Sequence, residues 1–556
     1  MSCSRSWWWS CLVSALIACG EADPLPDAGL EADATVAVDL GVAADAGVDD
    51  LGANDLGPGD LGTTNPDAEP RIVEFSPCRF LAGQDDPRPE CGRMQVPLHW
   101  DQPLGRSIEV FVKRVPATAP AGRSLWILTG GPGQSGIGGE SIARVLTAED
   151  PGLTVYLPDH RGTGSSSRLY CRAGESLTSP GGRQVTEAEW PACRESLVAE
   201  WGDGLAGFST TGAARDVEAW IEATRTPGES VFVLGVSYGT YLANRYLQVA
   251  PDQATGVIFD AVCPPGGCFL ADQDINEDDV AQQFFAICAT DPTCSARLGP
   301  DPWAKFGEVK ERLANGHCRM GLGSAQNNAD NLRALSGVMM MNAVIRRALP
   351  AVIHRMDRCS AADRSAIAHL YGALFSPPPE GAFDPYAGWS WALGINIMSS
   401  ELWSPIPLDR ATMEARWAQT RSCRGVSRQA WWQVDGWPRY QEPLAGQFAE
   451  TNLPLLILNA DLDPATRIEL ARPYGQHYTG PHQHFVEISS SSHGTIGQGP
   501  LRGNQSNTCG RVLLHQFLED PEGELDTSCV AETIPTGFTL SATTTRALFG
   551  TTNLWE

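Results

Sequence analysis

Short segments that are apolar throughout alternate with helical stretches along much of this chain, and one strand-to-helix junction carries a serine framed by glycines. Ser124 to Thr129, Leu153 to Leu157, Val231 to Leu234 and Val257 to Val262 are such segments, with helical periodicity at Thr211 to Ala223 and Tyr238 to Val249. A strand with no polar face must be covered on both sides, and strands joined through helices run parallel. The pattern therefore predicts a mostly parallel sheet with helices on both faces. Met94 to Trp100 and Ile108 to Val115 read as two opening strands. The alternation breaks at Pro264 and resumes at Leu453 to Asn459, at His484 to Ile488 and at a helix near Val512 to Leu518. Between these points lie helical stretches such as Leu332 to Val344 and Ser360 to Tyr371. An insertion between two strands of one sheet leaves from the strands' carboxyl ends, where such sheets bind ligands, and this predicts a large, mainly helical cap over the site. The expected division is a core in two parts, residues 71–263 and 453–556, with a cap over 264–452.

Charge is unevenly spread. Thirteen Asp or Glu and no Lys or Arg fall between Gly20 and Pro70, half of the net charge of -26. A chain this acidic is not expected to bind nucleic acid, which needs clustered Lys and Arg. Residues 20–70 are mostly Ala, Asp, Gly, Leu and Pro, with Asp-Leu-Gly recurring irregularly at Asp39, Asp50, Asp55 and Asp60. Such a stretch cannot offset its ordering entropy and reads as an extended acidic tether rather than a calcium cage. Ahead of it, Arg5 and the apolar run Trp7 to Ala18 form an export signal too short to span a bilayer. Leu16-Ile17-Ala18-Cys19 resembles a bacterial lipobox, which implies cleavage after residue 18 and a lipid on Cys19, so that the membrane becomes a partner. The alternative is a plain secretory signal; on either reading the protein is exported. Thirteen cysteines follow Cys19, with close spacings at Cys78 and Cys91, Cys171 and Cys193, Cys288 and Cys294, and Cys509 and Cys529. In an exported chain these read as disulfides, with at least one cysteine left over. No metal site is expected, since His482 and His484 alternate along a strand without cysteines at ligand spacing, and no cofactor motif is present.

Gly235-Val236-Ser237-Tyr238-Gly239 is a G-x-S-x-G between an apolar strand and a helix. That context is the nucleophile elbow of the α/β-hydrolase fold, in which a strained turn lifts the serine hydroxyl above the sheet. A hydroxyl needs a base, and the base needs an acid to fix its tautomer. In this fold they follow in the order acid, then histidine. The strand Leu453 to Asn459 delivers Asp461 and Asp463, and the next strand delivers Ser492-His493-Gly494. His493 is the expected base and Asp463, just before a helix start, the expected acid, with Asp461 as the alternative. The oxyanion donors expected of the architecture are the main-chain N–H groups of Tyr238 and of Gly131, in Gly130-Gly131-Pro132-Gly133.

The chain resembles the proline iminopeptidase and tripeptidyl aminopeptidase family at Gly130 to Gly136, Asp159 to Ser165, Gly235 to Tyr241, Asp461 to Thr466 and Ser492 to Gly494. The resemblance implies cleavage of amino acids or short peptides from free N-termini, with catalysis by Ser237, Asp463 and His493. It departs at Thr129, where iminopeptidases often carry His, which favours the tripeptidyl branch, and at Arg467, where Pro is common. A free α-amine in a capped site needs a carboxylate partner. The acidic cluster at the start of the cap, with Asp272, Asp274 and Glu277, is the expected source. The same triad serves an ester hydrolase, and a non-catalytic surface binding protein is the reading from another class.

Overall fold

A computed structural model describes residues 73–80, 86, 88–120, 122–175, 179, 185–319, 328–375 and 388–556. The expected signal, Cys19 and the acidic tether lie outside the described residues.

Among the described residues nine strands form one sheet: β1 (Phe75–Pro77), β2 (Glu90–Pro97), β3 (Ser107–Val115), β4 (Arg123–Leu128), β5 (Leu153–Asp159), β6 (Ser230–Val236), β7 (Gly256–Asp260), β8 (Leu455–Ala460) and β9 (Gln483–Ile488). Their order is β1-β2-β3-β5-β4-β6-β7-β8-β9. The pairs from β1 to β5 through β3 are antiparallel, and every pair from β5 onward to β9 is parallel. β5, β7 and β8 are buried along their whole length. The alternation of side chains along a strand explains this. Val231 and Val233 of β6 point into one core with Val217, Trp220 and Leu242 from the helices Thr210–Thr224 and Tyr238–Val249. Phe232 and Leu234 point into another, with Ala143 and Leu146 of the helix Glu140–Glu149 and Leu513 and Phe517 of the helix Cys509–Glu519.

β7 pairs directly with β8, Val257 opposite Leu455, although about 190 residues of sequence separate them. The helices described among those residues fall into two bodies. Helices Gln273–Thr290, Pro302–Ala314, Asn328–Met340, Leu349–Arg358 and Ala361–Phe375 share a core of their own. Helices Trp391–Ile397 and Val426–Val434 pack instead into the core of the sheet, and Asn396 Nδ2 donates to the Leu205 and Phe208 carbonyls at 2.9 and 3.1 Å. The expected division placed 453–556 wholly with the sheet, and here it needs correcting. Phe538, Leu548, Phe549, Leu554 and Trp555 pack into the cap's helical core. Arg355, fully buried, fixes them there by donating to the carbonyls of Leu554, Asn553 and Glu556 at 3.0, 2.7 and 2.6 Å.

All four closely spaced cysteine pairs are disulfides, and Cys263–Cys268 and Cys318–Cys359 are two more. Cys423 is the leftover thiol among the described residues, buried, with its pKa pushed well up by that burial. Such cross-linking persists in oxidising compartments. Among the described residues no helix is long and apolar enough to cross a membrane.

Candidate active site

Ser237 sits where β6 turns into the helix Tyr238–Val249, with φ 59° and ψ -127°. A non-glycine residue is held there only when its surroundings over-determine the turn. They do so through contact. A Cβ on Gly235 would lie 2.2 Å from the Gly239 carbonyl oxygen, and one on Gly239 would lie 2.0 Å from that of Leu128. Gly235 thus lets the helix lie close on β6, and Gly239 lets it press against β4. The Ser237 N–H donates to the Asp260 carbonyl at 3.0 Å.

His493 and Asp463 come from the loops after β9 and β8. His493 Nδ1 lies 3.0 and 2.9 Å from the two Asp463 carboxylate oxygens. The Asp463 side chain is fully buried. It also accepts the N–H groups of Ala465 and Thr466 at 2.8 and 2.9 Å, and the Thr466 hydroxyl at 2.8 Å. A carboxylate on Nδ1 fixes the tautomer that leaves Nε2 able to accept a proton. Asp461 has a different job: its N–H extends the β8–β9 pairing by donating to the Ile488 carbonyl at 3.2 Å, and burial pushes its carboxyl up. Ser237, His493, Thr466, Gly131 and Tyr238 line one cavity of about 1340 Å³. As the first residue of its helix, Tyr238 has an N–H without an intrahelical acceptor. The arrangement can attack a carbonyl, pass the proton to His493 and hold the resulting oxyanion against main-chain N–H groups.

Residues that the sequence did not single out hold these loops. Asp260, at the end of β7, accepts the N–H and hydroxyl of Thr495 at 2.8 and 2.7 Å and the N–H of Ile496 at 3.0 Å, which clamps the segment just after His493. Its signal was a lone carboxylate inside an apolar strand. Gln498 donates to the His493 carbonyl at 2.5 Å and accepts the cap's Ala343 N–H at 2.7 Å. Arg346 of the cap, fully buried, donates to the Leu462 and Ser490 carbonyls, both at 3.0 Å, so one side chain spans the acid and histidine loops. Burial brings its pKa down to about 10. Thr129, the departure from the iminopeptidase pattern, shapes the glycine loop by donating toward the Gln134 and Ser135 carbonyls at 3.1 and 3.2 Å.

The Asp159-to-Ser165 motif is scaffolding. Asp159 accepts the N–H groups of Gly136 and Ser165 at 2.8 and 2.7 Å, and burial pushes its carboxyl up to about 6. The buried Arg161 pairs with Asp216 at 2.7 and 2.5 Å and donates to the Leu98 and Gly207 carbonyls at 2.7 and 2.6 Å.

The structure does not bring the acidic cluster to the cavity. Asp272 pairs with Arg416 at 2.6 Å, and Glu277 is buried against Arg424, also at 2.6 Å. Asp274 accepts the Arg428 N–H at 3.1 Å, with its carboxyl pushed up to about 7 by burial and by the neighbouring Glu277. These carboxylates stitch the cap together, and so does Asp279, which reaches Arg467 at 2.7 Å and ties the cap to the acid loop.

A nine-stranded, mostly parallel sheet with a strained serine at this junction and an Asp–His pair on the two following loops defines the α/β-hydrolase fold. The chain matches the family described as alpha/beta hydrolase fold over residues 124–291. It is similar to the serine protease Hip1 of Mycobacterium tuberculosis, 29% identical over 282 residues that cover 45% of this chain and 51% of that protein. A tripeptidyl aminopeptidase of Streptomyces lividans is 29% identical over 216 residues, 35% of this chain and 39% of that one. Carboxylesterase B of Mycobacterium tuberculosis is 27% identical over 256 residues, 41% and 47%. The matched region spans about half the length of these relatives, or less.

Proposed function

We propose that this chain is an exported serine peptidase that releases short peptides, of tripeptidyl type, from free N-termini through an acyl-enzyme. The observation that supports it most is His493 Nδ1 held on the buried Asp463 carboxylate beside the cavity that Ser237 and Gly131 line. Ser237 attacks, His493 carries the proton to the leaving amine, and the N–H groups of Gly131 and Tyr238 receive the oxyanion. The peptidase choice rests on the names of two relatives, a serine protease and a tripeptidyl aminopeptidase. The acidic cluster no longer supplies a partner for the α-amine, so the neutral oxygens of Gln273, Gln429 and Gln433, which line the cavity, are the acceptors this reading assigns. Export rests on the six disulfides and the leader-like first residues, and lipidation of Cys19 and membrane attachment belong to the same proposal.

A second reading, an ester hydrolase on the same residues, is favoured by the similarity to a carboxylesterase. One comparison separates them: rates on a tripeptide anilide, its N-acetylated form and a simple aryl ester. The peptidase reading predicts that the free-amine anilide is cleaved at least roughly tenfold faster than the blocked one. Turnover of the ester alone would leave the esterase.

A further inference from the structure

Among the described residues, the side chains in the cavity lining besides His493 that can carry a full charge are Glu149, Asp260, Arg347, Arg424 and Arg511. Four of them are already engaged. Glu149 meets His515 at 2.9 Å and Arg511 at 3.4 Å, Arg424 meets Glu277 at 2.6 Å, and Asp260 is taken up by Thr495 and Ile496. Arg347 is different. Its Nε donates to the Gly537 carbonyl at 3.2 Å, and among the described residues no carboxylate pairs with it and no acceptor meets its terminal nitrogens. Burial alone acts on its pKa, downward, with no acid to offset it.

A half-buried guanidinium without a counter-charge is costly, and a carboxylate that reached it would remove the cost. Its planar fork suits a carboxylate in two-point contact. Its placement is also rigid. Arg347 lies in the short helical turn Ile345–Ala348, directly after Arg346, which is bonded to the loops of Asp463 and His493. The bond to Gly537 fixes the plane of the fork.

We propose that Arg347 is the carboxylate anchor of this cavity, holding the carboxylate of a short peptide, so that charge selects substrates at that end. The substrate class rests on the peptidase reading; the anchoring itself does not. The group held is either the peptide's free α-carboxylate or an acidic side chain at the same end, and both present the same two oxygens.

The test is binding to the full chain carrying Ser237→Ala, which removes turnover. Dissociation constants are measured by calorimetry for a tetrapeptide as its free acid, as its C-terminal amide, and as an amide ending in Glu. The free acid should bind at least roughly tenfold more tightly than the plain amide. Adding Arg347→Gln should erase that ratio by weakening the acid and sparing the amide, and Arg347→Lys should restore part of it. Recovery of affinity by the Glu-ended amide would assign the anchor to side chains, and its absence would assign it to the α-carboxylate. Equal affinities for acid and amide, no measurable binding of the acid at millimolar concentration, or equal weakening of both by Arg347→Gln would overturn the proposal. If Arg347→Gln does not fold, Arg347→Lys decides: loss of the fork should cut the acid-to-amide ratio at least threefold, and an unchanged ratio would overturn it. Turnover of the same peptides by the unaltered chain is scored separately. A carboxylate preference without turnover would sink the peptidase reading and leave the anchor standing.

Discussion

Single side chains divide the labour around Ser237 in a way that mutation can separate. Asp463 makes the only carboxylate contact with His493 among the described residues, so Asp463→Asn should lower kcat by about four orders of magnitude through the wrong tautomer. Asp461→Asn should change it far less, because the bonds of the His493 ring go to Asp463 and Thr466 and not to Asp461. Steady-state rates of the two variants give the comparison, and a reversed ranking would mean the acid has been misassigned. Thr466 donates to Asp463 from within reach of His493 Nδ1, at 2.8 and 3.5 Å. Thr466→Val should therefore cost roughly ten- to a hundredfold in kcat, the worth of a hydrogen bond to a charged group, with KM nearly unchanged. The three residues proposed as a triad could be chosen in the sequence because each follows the end of a strand that the apolar pattern marks. The α-amine candidates were misread for a physical reason: acidic residues at the start of a cap helix look alike whether they face a cavity or the cap's own arginines.

At the scale of elements, most of the sheet could be read from burial. Strands that are apolar on both faces have one interpretation, and β4 to β8 follow it. β1 was missed because three residues carry no period. What does not show in a sequence is how loops are fastened. Arg161 and Asp216 form a buried pair 55 residues apart that joins the loop after β5 to the helix Thr210–Thr224. Removing one partner strands the other charge in the interior. Asp216→Ala should thus destabilise the chain by about 3 to 5 kcal/mol. Urea unfolding followed by tryptophan fluorescence would measure it, and a loss under about 1 kcal/mol would show that the pair is better solvated than its burial implies.

For the whole molecule, the C-terminal segment is part of the cap's core and not a tail of the sheet. A chain ended after residue 541 loses Leu548, Phe549, Leu554 and Trp555 from that core and leaves Arg355 without its main-chain acceptors. It should fail to accumulate as soluble folded protein, whereas removal of residues 20–70 should leave kcat unchanged, because a charged low-complexity stretch has no core to share. Size-exclusion profiles and rates of the two truncations would check both. The proposed activity depends most on Ser237 acting as the nucleophile and His493 as its base. A fluorophosphonate should modify the unaltered chain once, with the added mass on the peptide that contains Ser237, and should leave the Ser237→Ala variant unmodified although it is folded. Unchanged labelling of that variant, or modification mapped to another residue, would contradict it.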